Sequence, residues 1–234
     1  MSMGMENEPI IRTEGLERQF HSGKEIIYAL RNVNITIQPQ KLTILKGRSG
    51  SGKTTLINML GVLDRPTGGK VFFNGNEISS LPDKRQDLLR RNEMGFVFQS
   101  FALISLMSAY ENVELPLRLI GMPAKERRKR VEECLMLVGL HKRMNHRPSE
   151  LSGGEQQRVA VARAIAHRPK VVFADEPTAE LDTHMAVQVM KVLRELVERE
   201  GVTVVMTTHD PNMMELGDFV YTLEDGQIVE EAKV

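Results

Sequence analysis

One cysteine, Cys134, is all the thiol this 234-residue chain carries, so no disulfide can close within it. That scarcity fits a reducing compartment. In the context EECLMLVGL, Cys134 reads as an apolar residue on a helix face and not as a nucleophile. Charge of one sign is not in excess either. Lys and Arg total 31, as do Asp and Glu, which removes the global field that would favour nucleic acid or anionic lipid. The opening MSMGMENEPII lacks the basic-then-apolar order of a secretory signal, and residues 1–7 are expected to be disordered. No apolar run approaches the ~20 residues that cross a bilayer. The expectation is a soluble protein without direct membrane insertion, meeting a membrane only through a partner. His141 and His146 lie close in sequence but without Cys or carboxylates at ligand spacing, so no structural metal is expected. Internal repeats and low-complexity tracts are lacking as well.

What is present is an α/β pattern in one domain of ordinary size. Residues 10–16 and 29–37 alternate apolar and polar side chains, as half-exposed antiparallel strands do. Residues 42–45, 96–98, 171–174 and 202–206 are short, nearly continuous apolar runs, the signature of strands buried on both faces of a parallel sheet. A further strand over 219–223 leads into the turn Glu224-Asp225-Gly226-Gln227. Helical periodicity marks residues 53–63, 155–167 and 186–197. Between Gln99 and Pro169 the patterns are helical, which predicts a helical subdomain over about residues 100–168 inserted in a single domain spanning 8–232.

Residues 47–54, Gly-Arg-Ser-Gly-Ser-Gly-Lys-Thr, match G-x-x-x-x-G-K-[ST], after a predicted strand and before a predicted helix. In that context Gly47, Arg48, Ser49, Gly50, Ser51 and Gly52 form a loop whose backbone can wrap a polyphosphate, with the helix N-terminus adding partial positive charge. Lys53 would reach the β- and γ-phosphates, Thr54 a Mg²⁺ ion and Thr55 the α-phosphate side. The strand 171–174 runs into Asp175 and Glu176. Consecutive strand residues face opposite ways, so the two carboxylates are expected to divide the work, Asp175 with the metal and Glu176 with the attacking water. Leu151-Ser152-Gly153-Gly154-Glu155-Gln156-Gln157 provides a second bare helix N-terminus, a second anion site starting near Glu155.

Taken together, GRSGSGKT, LSGGEQQ, VVFADEP, Gln99 and His209 resemble the ATP-binding cassette (ABC) ATPases over nearly the whole chain. The resemblance implies a P-loop core with a mostly parallel central sheet, an N-terminal antiparallel β-subdomain and a helical subdomain. It also implies ATP and Mg²⁺ as ligands. Each motif occurs once, so two chains would sandwich two ATP molecules head to tail, with Ser152, Gly153, Gly154 and Glu155 of one over the γ-phosphate on the P-loop of the other. Gln99 matches a loop glutamine on Mg²⁺ and the water, Asp182 the aspartate at the dimer interface, and His209 the histidine reaching the γ-phosphate. Phe20 falls where the family stacks an aromatic on adenine. Two departures stand out: Arg48 replaces a common proline, and Ala179-Glu180 replaces a small or neutral pair.

The surrounding text, EIIYALRNVN, GVLDRPTGGKVFFNG and ENVELPL, looks like the subunits of lipoprotein-release, macrolide-exporter and FtsE-type systems. That implies a separate transmembrane permease, a seat on the inner face of the cell membrane, and export or a mechanical stroke across it. Residues 100–117 carry Phe101, Leu103, Ile104, Leu106, Met107 and Tyr110, a loop suited to line a groove for the permease. ERRKR, flanked by Glu126, Glu132 and Glu133, reads as a solvated helix face and not a nucleic-acid patch. Two other classes fit less well: a soluble ABC ATPase acting on nucleic acid or the ribosome, against the single cassette and balanced charge, and a scaffold that binds ATP without turnover, against the presence of Lys53, Asp175, Glu176 and His209.

Overall fold

The computed structural model describes residues 8–23 and 25–234; the expectation for residues 1–7 lies outside them. The chain opens with β1 (Ile11–Ser22), β2 (Glu25–Val33) and β3 (Thr36–Ile37). The run expected over 29–37 is thus split between two strands. β1 also extends past residue 16, so Phe20 lies within it, paired with Ile27. After β4 (Leu42–Lys46) comes α1 (Lys53–Leu60), followed by β5 (Gly68–Phe73), β6 (Asn76–Glu77), α2 (Asp83–Glu93) and β7 (Met94–Val97). The helices α3 (Ala109–Leu119), α4 (Ala124–Leu137) and α5 (Gly153–Ile165) precede β8 (Val171–Ala174), and α6 (Thr183–Glu200), β9 (Thr203–Thr208), β10 (Phe219–Glu224) and β11 (Gln227–Lys233) complete the chain.

These strands make two sheets. One is antiparallel, in the order β2-β1-β5-β6, with β3 also on β1. The other runs β11-β10-β4-β9-β8-β7, parallel from β10 to β7, with β11 antiparallel at one edge. Every residue of β8 and β9 is buried, because apolar layers cover both faces of this sheet. The period of two sorts them. Leu42, Ile44, Val172, Ala174, Val204 and Met206 join the helices α3 to α6 on one face. Leu45, Val171, Phe173 and Val205 join α1 and the antiparallel sheet on the other.

The helical layer is built by ordinary local rules. Ser108 caps α3 and Glu111 returns the bond to the Ser108 N–H, a capping box. On α4, Arg128 pairs with Glu132 and Lys129 with Glu133 at i,i+4 on a solvent-facing surface. Arg130 points inward and donates to the carbonyls of Ile165 and Ala166 at the end of α5. Cys134 is buried on α4 in the core. Among the described residues no helix is long and apolar enough to cross a membrane.

Candidate functional site

The loop 47–52 leaves β4 at the carboxyl edge of the parallel sheet, where open α/β sheets bind ligands. Gly52 has φ 104°, and a Cβ there would lie 2.5 Å from the Ala29 carbonyl oxygen, so glycine is the residue that fits. No side chain caps α1, and the Ser51 hydroxyl is buried without a hydrogen-bond partner. Lys53, its side chain only 4% exposed, donates from Nζ to the carbonyls of Gly47 (2.8 Å) and Arg48 (3.1 Å). An uncapped helix N-terminus, an orphan hydroxyl and a buried ammonium suit a polyphosphate. The loop opens into a cavity of about 720 Å³ that includes Arg48, Ser49, Gly50 and His209.

Asp175 and Glu176 follow the end of β8, so strand alternation is not what separates their side chains. Both lie past the strand, and Glu176 turns through a left-handed φ of 44°. Asp175 Oδ1 accepts from the hydroxyls of Thr54 (3.2 Å) and Thr207 (2.6 Å). A hydroxyl and a carboxylate side by side are oxygen donors suited to a small dication that keeps most of its water. Glu176 sits between two nitrogen groups: Oε1 is 3.5 Å from Lys53 Nζ and Oε2 is 3.1 Å from His209 Nδ1. Thr207, which the sequence reading did not single out, ties the two together by also accepting from the Glu176 N–H at 2.8 Å. It is buried like its neighbours Met206 and Thr208 on β9, so nothing in the local pattern marks it as functional.

The remaining candidates sit elsewhere. Gln99 follows β7 and donates from Nε2 to Glu180 Oε1 at 3.1 Å. Phe20 is 42% exposed and lies under the Arg18 guanidinium at 4.6 Å, outside the lining of the loop cavity. Thr55 is half-buried on the first turn of α1. Ser152 is the N-cap of α5, which begins at Gly153. Its Oγ accepts from the Glu155 N–H at 3.3 Å, and Glu155 Oε2 accepts from the Ser152 N–H at 2.9 Å. That backbone bond from Ser152 leads the effects that hold the Glu155 carboxyl below its ordinary range. Asp182 caps α6 by accepting from the Met185 N–H at 3.0 Å. The cluster Lys53, Thr54, Asp175, Glu176 and His209 is therefore assembled within one chain. Among the described residues no hydrogen bond or ion pair joins 152–155 to 47–54.

A parallel sheet with a glycine-rich phosphate loop at its carboxyl edge and two carboxylates beside it defines a P-loop nucleotide-binding protein. Comparison narrows this: the family model described as ABC transporter matches residues 30–179. An ABC transporter ATP-binding protein of Methanocaldococcus jannaschii, MJ0796, is 44% identical over 96% of this chain and 97% of its own length. Its solved dimeric structure in a post-hydrolysis state, bound to ADP and Pi, superposes with a TM-score of 0.88 at 43% identity, covering 95% of this chain and 98% of that one. The macrolide export ATP-binding/permease protein MacB of Vibrio parahaemolyticus is 40% identical over 95% of this chain but only 34% of its own length. This chain thus spans about a third of that longer relative. The chain belongs to the ABC transporter family and is one of its ATPase cassettes.

Proposed function

We propose that the chain binds ATP with Mg²⁺ and hydrolyses it as one half of a head-to-tail dimer that drives a separate membrane permease. In this reading residues 47–55 cradle the phosphates and Lys53 contacts the β- and γ-phosphoryl oxygens. Thr54, Asp175 and Gln99 hold Mg²⁺, which when bound neutralises charge on the phosphates. Glu176 polarises the attacking water and His209 meets the γ-phosphate. Ser152, Gly153, Gly154 and Glu155 of the second copy close the site, Asp182 lies at the interface, and Phe20 stacks on adenine. Residues 8–232 act as one cassette, with the helices of 100–168 facing the permease.

What carries this reading is the Lys53–Glu176–His209 cluster. Lys53 meets the Glu176 carboxylate at 3.5 Å. A polyphosphate entering the loop offers Lys53 a stronger anionic partner, leaving Glu176 and His209 facing the terminal phosphate. Export or mechanotransmission is favoured by similarity to MacB-type relatives. A groove of about 490 Å³ with Leu63, Phe96, Phe98, Leu115 and Leu119 on its walls offers the permease an apolar seat at the inner membrane face. Replacing Glu176 by Gln tests the catalytic assignment. Turnover should fall by about 10²–10⁴-fold while ATP binding persists, with ATP-dependent dimers visible in light scattering. Unchanged turnover would remove Glu176 from its role.

A further inference from the structure

We propose that Arg48 of one copy and Glu180 of a second form an ion pair across the ATP-closed dimer, formed twice by symmetry. This rests on the head-to-tail dimer proposed above. Both side chains are exposed, one a cation and the other an anion. Neither finds an opposite charge within its own chain among the described residues. The Glu180 carboxylate accepts a bond from the neutral amide of Gln99 at 3.1 Å. Arg48 engages Lys53 only through its backbone carbonyl. The cavity beside it also contains Glu224, Asp225 and Glu230, yet Glu230 is paired with Lys46 at 3.4 Å and Arg48 with none of them.

Packing within the chain determines where Glu180 travels. Gln157, on α5, donates to the Pro177 carbonyl at 2.7 Å. A Cβ on Gly153 would lie 3.5 Å from Leu181, and one on Gly154 would lie 2.7 Å from Met185. Residues 177–185 therefore lie against the first turn of α5, the turn that Ser152 caps. Whatever surface Ser152 closes upon, Glu180 approaches as well. If that surface is the phosphate loop of the second copy, its exposed arginine is Arg48. The Gln99 amide already orders one carboxylate oxygen of Glu180, and a guanidinium can engage a carboxylate through two parallel bonds. A two-fold operator then repeats the contact, placing both pairs beside the two nucleotides.

Charge reversal tests the pair in the Glu176→Gln protein with ATP, using sedimentation to measure the dimer. Arg48→Glu or Glu180→Arg alone sets like charges together at both contacts and should weaken the dimer on the order of tenfold or more. The double reversal should recover most of that loss, and the weakening should shrink as salt rises. Damage by Arg48→Glu to nucleotide binding is read separately as ATP affinity. To keep that affinity, Arg48→Ala and Glu180→Ala give a second cycle. In the cycle whose variants still bind ATP, absence of coupling between the two positions overturns the pair. Equal dimer strength in all four proteins overturns the pair while leaving the dimer intact. A protein that stays monomeric throughout overturns both.

Discussion

Burial in the helical layer pushes the Cys134 thiol up to about 11, so almost none is thiolate at neutral pH, and the thiolate is the reactive form. The folded protein should leave its one thiol unreacted toward an aromatic disulfide reagent over a time in which the urea-unfolded chain reacts fully, as absorbance would follow. Rapid labelling of the native state would contradict the packing of α4. The sequence made this residue legible because EECLMLVGL places it among apolar neighbours at helical spacing. It also made the cluster of Lys53, Asp175, Glu176 and His209 legible by residue type and order. What it did not make legible are the links among them. Thr207 reaches Asp175 across 32 positions, a contact set by β8 lying beside β9. Gln99 meets Glu180 across 81. Such pairs depend on strand order, which no local pattern encodes.

The elements were legible where burial leaves a period. α6 buries seven residues along one stripe, Ala186 to Val197, and β4, β8 and β9 read as apolar runs. α2 escaped notice because DKRQDLLRRNE buries only Gln86 and so shows no stripe. β5 begins Gly-Gly-Lys and offers no clear alternation, and the first half of β2 leaves Ile26, Ile27 and Tyr28 exposed. The joint between elements also has a pH signature. Asp218, at the entrance to β10, accepts from the Leu42 N–H at 2.8 Å and from Arg194 at 2.9 Å. Burial acts to raise its pKa, but these donors outweigh it, and the carboxyl is held below its ordinary 3.8. A lowered folded pKa means the stabilisation is complete above the unfolded value and is lost as pH falls through the folded one. Asp218→Asn should therefore cost about 1–3 kcal/mol at neutral pH. Urea midpoints of the two proteins should converge in acid, and a pH-independent difference would assign the effect to packing alone.

At the scale of the whole molecule, the separation of residues 47–54 from residues 152–155 has a consequence that a single defective variant cannot reveal. If each site takes its phosphate loop from one chain and its Ser152 turn from another, defects in the two parts should complement. Lys53→Ala removes the loop's ammonium, and Ser152→Glu places a carboxylate where the second anion site would be. Each homodimer has two defective sites. In a mixed dimer both defects fall in one site, and the other is intact. With random pairing, half the dimers are mixed and each has one good site, so turnover should rise to about a quarter of normal. The control is a mixture of Lys53→Ala with Glu176→Gln. Both defects belong to the same half of the site, so every site in the mixed dimer has one defect and no recovery is expected. ATPase rates of the two mixtures, with mixed dimers verified by differently tagged chains, separate the cases. Equal rates would mean that each chain hydrolyses ATP by itself, whereas recovery in the first mixture alone places every active site between two chains.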